Sequence, residues 1–182
     1  MKTALKTELR KLFTVRSTYF VTFLILLLVS FFSFYIEGFR QTEVVGPHKF
    51  SSVLLGSVGL VSQLGTIVCI LLIAHEYRYN TISYTLTYSN SRLKTLLAKI
   101  VASISFLTIL AVVCGLLAIG LTYLGLNAHN TTIPPQDFNV IQLFGRSIFY
   151  CVAYGLTGLL LAVLFRNIVA SIILLFDGMD II

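Results

Sequence analysis

Charge is what this chain has least of. Only 11% of its 182 residues are Asp, Glu, Lys or Arg, whereas 57% are apolar, far from the balance of a soluble domain. The groups that catalysis needs are equally thin. His48, His75 and His129 are scattered along the chain, which argues against a metal cluster. His75-Glu76 begins like a zinc-protease motif, but Tyr79 stands where the second histidine belongs. There is no G-x-x-x-x-G-K-[ST] loop for a nucleotide and no G-x-S-x-G elbow. No acid or base lies deep inside the four complete apolar runs described below, so an enzyme and an ion-coupled carrier both lose ground. Cys69, Cys114 and Cys151 occupy three different apolar runs without a C-x-x-C pair. They read as small buried hydrophobes, not as a disulfide or metal site. Neither a cofactor nor a catalytic residue is expected.

What is present is length of hydrophobic sequence. Crossing the hydrocarbon layer takes roughly 20 apolar residues as a helix. Four runs meet that need: Tyr19–Ile36, Val53–Ala74, Ile100–Leu126 and Ile148–Phe165. A fifth begins at Ile168 and meets Asp177 and Asp180, each costing about 2.5–3.5 kcal/mol at the centre of a membrane helix. The expectation is an all-α, polytopic membrane protein forming one transmembrane domain over 1–182. Four spans are complete and the fifth, 168–182, is partial. The runs lack the strict alternation of lipid-facing strands, which argues against a β-barrel.

The net charge of +6 is a topology signal and not a nucleic-acid footprint. Lys2, Lys6, Arg10, Lys11, Arg16, Arg78, Arg92, Lys94, Lys99 and Arg166 fall on one side of the spans, and only Arg40, Lys49 and Arg146 on the other. Positive residues are retained in the cytoplasm, so the amino terminus is expected inside, in a multi-pass arrangement in the cell membrane.

Residues 1–16 place Leu5, Leu9, Leu12 and Phe13 at helical spacing, with Lys6, Arg10 and Lys11 opposite. That pattern fits an amphipathic helix in the headgroup layer, and also fits a plain basic leader. The second span is less uniform. Gly56, Gly59 and Gly65 permit close helix approach, while Ser57, Ser62, Gln63 and Thr66 can bond across helices. Ser62, Gln63 and Thr66 fit either interhelical packing or the lining of a transport path or subunit interface.

Between the second and third spans lies His75–Lys99, which carries one Glu, two Arg, two Lys and four of the nine tyrosines. Tyr79, Ile82 and Leu86 share one face at helical spacing, with Tyr84 and Tyr88 on another. A short cytoplasmic helix presenting aromatic and aliphatic knobs to a partner groove fits this pattern. An interfacial helix with tyrosines at headgroup level fits it too.

The order Glu76, Asn80-Thr81-Ile82, Leu86, Ser91-Arg92-Leu93 and Leu97-Ala98-Lys99 resembles the cytoplasmic motif of type-2 ABC transporter permeases. Asn80 stands where that family has Gly, and no Pro precedes Arg92. Glu8-Leu9-Arg10-Lys11 with Arg16-Ser17-Thr18 is similar to the family's elbow helix at 1–17, and Leu164-Phe165-Arg166-Asn167 to its inner turn before the fifth helix. The resemblance implies the membrane subunit of an exporter without ATPase activity of its own. Its implied partners are an ABC ATPase subunit and a second permease subunit. It also implies that Tyr79–Tyr88, within the 75–95 loop, is a coupling helix held by Glu76 and Arg92, with Thr81, Ile82 and Leu86 in the docking surface. A non-transporting anchor or regulatory subunit, a degenerate permease, is the other expectation, favoured by the incomplete fifth span.

Overall fold

The computed structural model describes residue 10 and residues 16–39, 48–78, 92–128, 139–165 and 167–177, and among them it is all-helical. Helix α1 spans Arg16–Phe31 and continues without a break as a π-helical segment, Phe32–Phe39. Helix α2 spans Lys49–Arg78, α3 Arg92–Ala128, α4 Val140–Phe165 and α5 Ile168–Asp177. Four helices are long and apolar enough to cross a membrane: Arg16–Phe39, Lys49–Ile73, Leu96–Ala128 and Ile141–Phe165. The protein is a helical multi-pass membrane protein.

Each helix outruns the apolar run that announces it. Hydropathy marks only the part immersed in hydrocarbon, whereas a helix continues while its backbone groups find partners. Between the first two apolar runs, Glu37–Phe39 accordingly belong to the π-helical segment and Lys49–Ser52 to α2. Arg146 lies within the second turn of α4 and is exposed. Local caps fix two helix starts. Asn139 Oδ1 accepts from the Ile141 and Gln142 amides at 3.1 and 3.3 Å, and Asn167 Oδ1 accepts from Val169 N at 3.0 Å. These bonds satisfy amides that have no carbonyl partner inside the helix.

Helix α2 is the hub and touches every other element. Of its apolar window 56% is buried, against 17% for the first span. One cluster joins Ile25 and Val29 of α1 to Val53, Leu54, Val58 and Val61 of α2, Leu110, Ala111 and Cys114 of α3, and Cys151 of α4. A second, nearer the α2–α3 connection, gathers Cys69, Ile70, Ile73, Leu107, Leu159, Ala162 and Leu175. All three cysteines are buried and unbridged, as expected from their positions in apolar runs. Because lipid tails are as apolar as leucine, contact quality and not water exclusion holds such helices together. Gly158 of α4 accordingly lies against the Thr66 side chain of α2, leaving no room for a methyl.

The π-helical segment and α3 cross backbone against backbone. A methyl added at Gly125 would lie 2.7 Å from the Phe34 carbonyl oxygen and 2.9 Å from Gly38 Cα. Backbone meets backbone there, which only a pair of glycines allows. Beside the contact, the buried Thr122 hydroxyl donates to the Ser33 carbonyl at 3.1 Å. π-helical turns are rare and open the helix; this run is pinned by that crossing.

Candidate functional site

The segment singled out by the sequence is framed by the two longest described helices. At 1.5 Å per residue, the 30 residues of α2 and 37 of α3 reach about 45 and 55 Å, against roughly 30 Å of hydrocarbon. Part of the excess falls at the end where they approach one another in sequence: α2 continues through His75–Arg78, and α3 starts with Arg92–Lys99. Glu76 therefore sits in the last turn of α2 and Arg92 at the first position of α3. Tyr79, Thr81, Ile82 and Leu86 lie outside the described residues, as do the side chains of Glu76 and Arg92. The amphipathic helix expected over 1–17 also lies outside them, except for Arg10 and for Arg16 and Ser17, which open α1. Near the start of α3, Ala98 and Lys99 are buried, although Lys99 carries a charge.

Ser62, Gln63 and Thr66 are brought together on α2. Ser62 and Thr66 are fully buried, and their hydroxyls turn back onto their own helix. Ser62 Oγ donates to the Gly59 carbonyl at 2.8 Å and Thr66 Oγ1 to the Ser62 carbonyl at 2.5 Å. Gln63 is half-buried. Within one copy, the Ser62 and Thr66 hydroxyls have committed their only donor hydrogens and are buried, and Thr66 serves as the surface on which Gly158 rests.

The arrangement that sequence reasoning missed lies at the opposite end of α2. Lys49 Nζ meets Glu37 Oε2 at 2.5 Å, with the lysine side chain 12% and the glutamate 40% exposed. Glu37 also lines a cleft of about 220 Å³ between the first helix and α2. Val29, Phe32, Val53 and Leu60 form apolar walls, Ser33 and Ser57 add hydroxyl-bearing side chains, and Gly56 leaves one flank low. The Ser57 hydroxyl is committed to the Leu54 carbonyl at 2.8 Å. A signal existed in the sequence: the short 37–50 connection carries both signs of charge. Charge alone does not show that the two groups pair or that Glu37 lines a cleft.

Among the described residues no group of three or more His, Cys, Asp or Glu side chains could hold a metal ion. Compared with family models, with curated proteins and with solved structures, the chain matches none.

Proposed function

We propose that this chain is the membrane-spanning permease subunit of an ABC exporter, driven by a separate ATPase that grips residues 75–92. The observation that carries the proposal is the pairing of the two longest helices, α2 and α3, packed on one another and on α4, which run past their apolar stretches into the segment bearing the permease-like motif. A stiff pair of this kind suits the transfer of a push from the aqueous phase to the membrane interior. Closure of the ATPase would displace Tyr79–Tyr88, and α2, touching every other described element, would distribute the displacement through the bundle. Ile82 and Leu86 supply apolar knobs for the partner groove, while Glu76 and Arg92 hold the segment to the helix ends. Work from hydrolysis is done by the partner, since the chain has no phosphate-binding loop.

The test is co-purification from a host expressing the chain together with a candidate ATP-binding subunit. Wild-type chain retains the ATPase, and the double substitution Ile82→Asp with Leu86→Asp releases it while membrane insertion is unchanged. Undiminished co-purification of the double variant overturns the docking role. Nucleotide-dependent transport in vesicles containing the pair separates a working permease from a non-transporting anchor.

A further inference from the structure

We propose that the cleft between the first helix and α2 is a binding site for one membrane phospholipid with a primary amine in its headgroup. An acyl chain would lie in the cleft and the amine would sit on Glu37. The inference is independent of the ATPase reading, because it concerns the other end of the bundle.

Three observations lead to it. First, the walls suit hydrocarbon: Val29, Phe32, Val53 and Leu60 dominate the lining. At about 220 Å³ the volume is below the roughly 300–1,000 Å³ of drug-sized sites and suits a stretch of a single alkyl chain. Phe32, at the side of the cleft, is 42% exposed and Leu55 of α2 is 50% exposed, so the cleft is continuous with a lipid-facing surface. Second, its mouth is charged. The first helix and α2 have their membrane-spanning windows ending and beginning close to Glu37 and Lys49, which puts the ion pair at headgroup depth. A phospholipid headgroup carrying phosphate and ammonium meets a pair that also carries both signs. Third, Glu37 has capacity to spare. Lys49 engages Oε2, while a carboxylate offers about four acceptor positions, and its side chain remains 40% exposed. A primary ammonium donates hydrogen bonds to a carboxylate; a quaternary choline has no N–H to donate. An anionic headgroup lacking an amine brings no ammonium to the carboxylate.

The chain contains no tryptophan, so single reporters can be placed cleanly. A Phe32→Trp variant reports from the cleft wall. A Phe149→Trp variant, at a position 76% exposed on α4, reports from the general lipid shell. Each is reconstituted in phosphatidylcholine containing a minor fraction of brominated phosphatidylethanolamine or brominated phosphatidylcholine, and quenching is titrated. The expected result is a preference of about tenfold for the ethanolamine lipid at the F32W reporter, equivalent to about 1.4 kcal/mol, and near-equal quenching by both lipids at the F149W reporter. Glu37→Gln should abolish the preference. Lys49→Gln, which breaks the same ion pair but keeps the carboxylate, should retain it. Gly56→Leu, at a position lining the cleft, should weaken quenching at the F32W reporter by either lipid; nothing lies within 4 Å of a Cβ added at Gly56, so the first carbon of the larger side chain enters open space. Equal quenching by both lipids at the F32W reporter overturns the proposal. So does a reporter shielded from both, as a second copy of the chain covering the cleft would produce. Loss of the preference in Lys49→Gln, or its survival in Glu37→Gln, overturns the assignment to the carboxylate.

Discussion

Adding a single methyl at Gly125 tests the packing of the bundle where two backbones meet. The new carbon in Gly125→Ala would sit 2.7 Å from the Phe34 oxygen, 2.9 Å from Gly38 Cα and 3.0 Å from Phe39 N. All three are backbone atoms, so no side-chain rotation can relieve the overlap. Carbon contacts are comfortable at about 3.5–4.0 Å, and the π-helical segment and α3 must therefore part by roughly 0.6–1 Å. That separation stretches the 3.1 Å Thr122–Ser33 bond to about 3.7 Å or more, beyond useful hydrogen-bond length. Overpacking costs about 1–3 kcal/mol, and an interhelical bond in a membrane protein averages about 0.6 kcal/mol. Alanine's better helix propensity returns up to about 1 kcal/mol. The net expectation is a loss of about 2 kcal/mol, close to a thirtyfold fall in the folded-to-unfolded ratio. Gly56→Ala is the matched control: with open space around its Cβ, it should be neutral or gain about 0.5–1 kcal/mol. Reversible unfolding in mixed micelles, titrated with a denaturing detergent, measures both. A Gly125→Ala protein as stable as the parent, or one indistinguishable from Gly56→Ala, would refute the backbone-to-backbone crossing.

Three further substitutions can be read in the same assay. Thr122→Val removes the hydroxyl that reaches Ser33 while keeping the shape, and should cost about 0.6 kcal/mol; in the Gly125→Ala background its cost should vanish, since the bond is already broken there. Ser147 is 2% exposed and its Oγ has no hydrogen-bond partner among the described residues, so Ser147→Ala should be neutral or stabilising by up to about 1 kcal/mol. A clear loss would reveal a partner for that hydroxyl. Asn139→Ala removes the acceptor from two α4 amides and should cost about 1 kcal/mol, with no loss in Asn139→Ser or Asn139→Asp.

The spans are legible in the sequence because a helix in hydrocarbon must be almost wholly apolar over some 20 residues, and no other element leaves that trace. The burial of Cys69, Cys114 and Cys151 follows from the same runs. The helix ends are less legible. Lys49–Phe50 and Glu37–Phe39 belong to helices although hydropathy has already fallen there. Contacts between segments far apart in sequence are not legible at all. Gly38 and Gly125 look like ordinary small residues until the fold brings them together. Glu37 and Lys49 carry opposite charges across a short connection, yet the cleft that Glu37 lines depends on how far the first helix leans from α2. Ser62 and Thr66 are polar in the sequence but inward-bonded in the fold, because a hydroxyl in a helix can be satisfied by a carbonyl one turn earlier. The motif over residues 76–99 is a matter of residue order, and its meaning rests on a partner.

The most direct test of the central claim is the side of the membrane on which that motif lies. Because the three native cysteines are buried, a Ser89→Cys variant offers a single accessible thiol to a membrane-impermeant maleimide. The account predicts rapid labelling in inverted membrane vesicles, none in intact cells, and protection in inverted vesicles when the ATPase subunit is bound. Labelling from the outside of intact cells, or no labelling from either side, would contradict it.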